Sequence, residues 1–78
     1  MNKFRVTVRL ISLVSNSLYL EVLTDSGMLE YSNHIGWCLE NFKFIEIVTW
    51  DKTVHKFATS DIFGVTIKDI TNGEEVPS

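Results

Sequence analysis

The 78-residue sequence is short of several residue types: it has one cysteine, one proline, one alanine (Ala58) and no glutamine. Cys38 stands alone, so no internal disulfide can form, which fits a reducing compartment. Apolar runs end after two or three residues. A bilayer span needs roughly 20 and a signal-peptide core at least about 7. The expectation is a soluble, cytoplasmic chain with no membrane contact. The four glycines are isolated, which excludes a glycine-rich phosphate loop. Net charge is only −3, too little for mimicry of nucleic acid and of the wrong sign for attracting phosphate. A chain this short has no room for two domains and a cleft between them. It buries only about 60% of its unfolded surface, so a partner or a second copy would add needed stability.

What is abundant points to strands. Eight Val, seven Ile and seven Thr are joined by nine aromatics. Branching at Cβ suits a pleated surface, whereas the strongest helix former is nearly absent. In residues 3–10, Phe4, Val6, Val8 and Leu10 alternate with Lys3, Arg5, Thr7 and Arg9, the mark of a strand with one buried face. The alternation breaks at Leu10–Ile11 and resumes out of phase at Leu13, which predicts a bulge or bend. Ser15-Asn16-Ser17 predicts a turn, residues 18–24 a second strand, and Asp25-Ser26-Gly27 a turn using positive φ at the glycine. Met28–Tyr31 reads as a short third strand, and residues 32–41 as a loop or one irregular turn weakened by Gly36.

In residues 42–50, Phe42, Phe44, Val48 and Trp50 share a face with Glu46, while Ile45 and Ile47 take the other. Apolar groups on both faces imply a central strand or one that shows a surface to a partner. Asp51-Lys52 predicts a hairpin connection into Thr53–Ala58, and Thr59-Ser60-Asp61 caps a short turn containing Ile62 and Phe63. Gly64 then releases the chain into Val65–Ile70, and Asn72-Gly73 marks a last turn. The stretch Thr53 to Lys68, a strand, one tight turn and a strand, resembles the closing piece of SH3-like and Sm-like barrels. The resemblance is topological and implies an architecture shared by many functions. The expectation is all-β: a single-domain curled sheet or SH3/Sm-like barrel of five to six short antiparallel strands with at most one short helical turn. It occupies residues 1–73, with a flexible acidic tail over 74–78.

Chemistry finds little support. His34 and Cys38 could share a face only on a helix, and with His55 they supply three soft ligands where zinc normally takes four. No metal and no cofactor are expected. A hydrolase or redox protein using Cys38 needs a base and an orienting acid that no spacing here vouches for. Glu46 reads as a cross-strand partner of Lys56 or Arg5. Charge is segregated: residues 1–20 hold Lys3, Arg5 and Arg9 without an acid, and residues 21–40 hold Glu21, Asp25, Glu30 and Glu40 without a base. Pairing across a sheet face is the favoured reading of that pattern.

The aromatics outnumber what so small a core hides, and tryptophan and tyrosine dominate interface hot spots. The reading is therefore a small non-enzymatic protein-interaction module that binds a partner protein or self-associates. This profile, with its AT-rich residue usage, fits an accessory or inhibitor protein of a phage or mobile element. The expected contact residues are Trp37, Trp50, Tyr31 and Phe63. The alternative is a small nucleic-acid-binding barrel using the basic face of strand one, at Lys3, Arg5 and Arg9.

Overall fold

The structure is a computed structural model that describes residues 1–12 and 17–73. Leu13, the Ser15-Asn16 part of the predicted turn, and the predicted acidic tail lie outside the described residues. Strands β1 (Asn2–Leu10) and β2 (Ser17–Thr24) are followed by helix α1 (Met28–Asn41). Strands β3 (Phe44–Val48) and β4 (Val54–Ala58) come next, then one 3-10 turn (Thr59–Asp61) and β5 (Ile62–Asp69). The strands form two antiparallel sheets, one in the order β2-β1-β5 and one pairing β3 with β4. Among the described residues the chain is thus mostly β, with five strands in two sheets that do not close into a barrel.

The alternation in β1 does what period-two burial requires. Phe4, Val6 and Val8 are fully buried, and β2 sets Leu20 and Val22 beside them. Ile47 from β3 completes that cluster, while Ile45 packs with Ile35 and Cys38 from α1 in a second one. Tyr31, Phe57, Ile62, Val65 and Ile67 touch both clusters and join them into one core. The strand–turn–strand piece expected near the C-terminus is present as β4, the 3-10 turn and β5, although Ile62, Phe63 and Gly64 already belong to β5. An irregularity does fall at the level of Leu10, but the extra residue is on the partner strand and β1 itself ends at Leu10. Arg9 opposes Gly64 and Leu10 opposes Ile62, so Phe63 is the extra, unopposed residue of a bulge on β5.

The main correction is α1. A 14-residue helix replaces the expected third strand at Met28–Tyr31 and the loop after it, and exceeds one short helical turn. Tyr31, Ile35, Cys38 and Leu39 make one apolar stripe at helical spacing, and burying that stripe outweighs the ~1 kcal/mol cost of Gly36. Gly27 sits at the N-cap with φ −72°, so the expected positive φ is not used there. The Phe42 N–H donates to the Cys38 carbonyl at 3.0 Å and closes the last turn. A second correction is the β3–β4 connection, which spans residues 49–53 and not two residues. The Lys52 N–H donates to the Thr49 carbonyl at 2.9 Å, and Lys52 itself takes φ 66°. Among the described residues, no helix is long and apolar enough to cross a membrane.

Candidate functional site

The register of β3 with β4 fixes what each face of this hairpin carries. Phe44 opposes Ala58, Glu46 opposes Lys56, and Val48 opposes Val54, and opposed residues share a face. That face points away from the core, because Ile45 and Ile47 point into it. Phe44 is 56% exposed, and Val48 and Val54 are exposed at the other end of the hairpin. Phe42, the C-cap of α1, comes two residues before β3 and is half exposed. It is held there by Thr59, whose hydroxyl donates to the Phe42 carbonyl at 2.8 Å and whose N–H donates to the Lys43 carbonyl at 2.9 Å. The Phe42 ring meets Trp37 edge-on at 5.1 Å between centroids. The result is an outer face with apolar groups at both ends, and the ring pair forms a rim where α1 ends and β3 begins.

One charged pair interrupts this face. The Lys56 ammonium lies 3.5 Å from a Glu46 carboxylate oxygen and 5.8 Å from the centroid of the Phe44 ring. The cross-strand pairing expected for Glu46 is therefore present with Lys56. At this exposure the pair contributes a few tenths of a kcal/mol to about 1 kcal/mol. It specifies more than it stabilises.

The four expected contact residues are not gathered in one place. Trp37 is exposed at the rim just described. Trp50 is also exposed but sits at the tip of the β3–β4 turn, where its N–H donates to the Glu21 carbonyl of β2 at 2.9 Å. Phe63 is 76% exposed because the bulge on β5 pushes it outward. Tyr31 belongs to the interior: its ring packs 5.5 Å from that of Phe4, and burial pushes its phenol pKa up. Phe44, Val48 and Val54 were not singled out in advance. The signal for Phe44 and Val48 was the second apolar face of residues 42–50; Val54 lies outside that stretch and joins them only through the register of β4 with β3.

The basic residues of β1 share the outer face of the three-stranded sheet with Glu21. Its two carboxylate oxygens lie 3.1 Å from the Lys3 ammonium and 4.0 Å from the Arg5 guanidinium. Arg9, exposed, lies beyond them. One acid from β2 thus answers two of the three cations of the nucleic-acid alternative. Between β2 and the tip of the hairpin lies an open cleft of about 970 Å³, lined among others by Arg5, Tyr19, Glu21, Trp50 and His55.

At the turn, the Asp51 carboxylate accepts from the Thr49 hydroxyl and, at 3.2 Å, from the Thr53 N–H. These bonds hold its carboxyl below the usual range. Asp69 repeats the device at the end of β5, accepting from the Thr71 hydroxyl at 2.5 Å and the Thr71 N–H at 2.9 Å. The helix brings His34 and Cys38 together, with Nε2 3.7 Å from Sγ. The thiol is buried in the core and the imidazole is exposed. Among the described residues, no three side chains of His, Cys, Asp and Glu gather as a metal site would require. In three comparisons, the chain matches no family model, no curated protein and no solved structure.

Proposed function

We propose that this chain is a non-enzymatic protein-interaction module whose docking surface is the outer face of the β3–β4 hairpin, extended by Phe42 and Trp37. The observation that carries the reading is the uncovered row of Phe44, Val48 and Val54 on a two-stranded sheet whose other face is already buried. Exposed apolar surface next to polar groups is where soluble proteins bind other proteins, and here the Glu46–Lys56 pair stands between a Phe44 end and a Val48–Val54 end of the face. Trp37, exposed at the rim, adds a residue type that dominates interface hot spots. The same surface carries one acid and one base and no stripe of cations, which favours a protein partner over a polynucleotide.

A photo-reactive amino acid at position 44 tests this reading directly. It should yield protein adducts in cells that make the chain, while the same group at Thr66, on the outer face of the other sheet, should not. Equal adducts at both positions, or none at 44, would remove the reading. Salt-dependent retention of DNA or RNA on filters would favour the face of β1 instead.

A further inference from the structure

Resting on the docking surface above, we infer that the partner is a second copy of this chain, packed hairpin against hairpin with the twofold axis running along the strands. The three opposed pairs on the outer face carry the inference: Phe44 with Ala58, Glu46 with Lys56, Val48 with Val54. A twofold axis parallel to the strands lays β3 of one copy over β4 of the other at the same level. Each side chain then meets, across the interface, the residue type it already faces within its own sheet. Phe44 covers Ala58, a large group on a small one, and does so twice. Glu46 meets Lys56 twice, so the two ion pairs become a four-membered ring of alternating charge. Val48 meets Val54. The surface is complementary to itself in size, in charge and in branching, as a closed twofold interface requires.

The other simple arrangements do worse. An axis in the plane of the sheet but across the strands sets Glu46 on Glu46 and Lys56 on Lys56, and like charges brought together across an interface are costly. Pairing edge to edge leaves the outer face uncovered. The along-strand axis also suits sheet packing, since aligned sheets cross at about 30° and each hairpin need tilt only about half of that from the axis. Phe44, Val48 and Val54 together with the exposed Glu46–Lys56 pair leave roughly 500 Å² open on each copy, so a pair would bury about 1,000 Å². That area is at the lower bound for a specific interface, so a weak, concentration-dependent dimer is the expectation.

Charge exchange provides the test. Glu46→Lys sets cation on cation across the axis, and Lys56→Glu sets acid on acid. Sedimentation velocity should show the unmodified chain passing from monomer to dimer as its concentration is raised. Each single variant should associate roughly tenfold or more weakly. Mixing the two variants in equal amounts should restore a dimer holding one copy of each, identified by its mass in native mass spectrometry. Circular dichroism confirms that each variant is folded. If one is not, Val54→Lys, which sets a cation on Val48 of the other copy, takes its place as a variant expected to be monomeric. Single variants that dimerise like the parent, a mixture that stays monomeric, or a parent that is monomeric throughout would each overturn the inference. A monomeric parent whose position 44 still captures a different protein would sink the self-pairing alone; the absence of any adduct would sink the docking surface as well.

Discussion

The two sheets bury similar inner faces and present opposite outer ones. On the three-stranded sheet the outward row of β1 is Lys3, Arg5, Thr7 and Arg9, opposed by Glu21 on β2 and by Thr66 and Lys68 on β5. Its apolar members are Tyr19 and Leu23, both exposed. On the hairpin the corresponding row is Phe44, Val48 and Val54 around a single ion pair. A polar outer face is finished where it meets water, and an apolar one is finished only when something covers it. The contrast separates residues that hold the fold from residues available for contact, and it does so within single strands.

The largest expected effect comes from crossing β3 from one face to the other. Ile47, 1% exposed, should cost about 3 kcal/mol when replaced by alanine. Phe44→Ser, three residues away but on the outer face, should leave the unfolding free energy of the dilute chain within about 0.5 kcal/mol of the parent. Urea denaturation of both variants checks the pair, and comparable losses would erase the distinction between the faces. A smaller effect is expected at the tip of the hairpin. Lys52 holds φ 66°, where a side chain costs about 1–2 kcal/mol and glycine costs little. After the entropy that glycine loses on folding, Lys52→Gly should stabilise by roughly 0.5 kcal/mol.

The smallest effect is on pH dependence, and each sheet carries its own copy of the device. Asp51 on the hairpin and Asp69 on the three-stranded sheet are both held below the usual carboxylate range by threonine hydroxyl and backbone N–H donors. A depressed folded value means that the unfolded chain binds protons more readily. The stabilisation is complete above the ordinary carboxylate pKa and is lost as pH falls through the folded value. The denaturation midpoint should therefore decline on acidification, and Asp51→Asn and Asp69→Asn should each flatten that decline. Unchanged acid profiles in both variants would show that these turns carry none of it.

The inner faces were readable in advance because β1 and β2 announce themselves locally, with every second residue apolar for a whole strand length. Lys56 was one of two partners the sequence offered Glu46, the other being Arg5. The expected two-residue connection would have set Glu46 opposite Phe57; the longer connection over residues 49–53 is what brings Lys56 level with it. The helix was not readable. Met28, Leu29 and Tyr31 imitate a strand at its start, Gly36 interrupts its middle, and no side chain caps its N-terminus. Its stripe of Tyr31, Ile35, Cys38 and Leu39 was visible only to a search at helical period. The docking row was half visible. That residues 42–50 are apolar on both faces is a local fact, but whether a strand ends up central or at an edge depends on pairings made far along the chain.

The hydrogen bond from the Trp50 N–H to the Glu21 carbonyl fastens the hairpin tip to the margin of β2. A latch of this kind makes one amide proton a sentinel for the seam. Its deuterium uptake registers every parting of the two layers, including partings too brief to disturb the protons shielded inside either one.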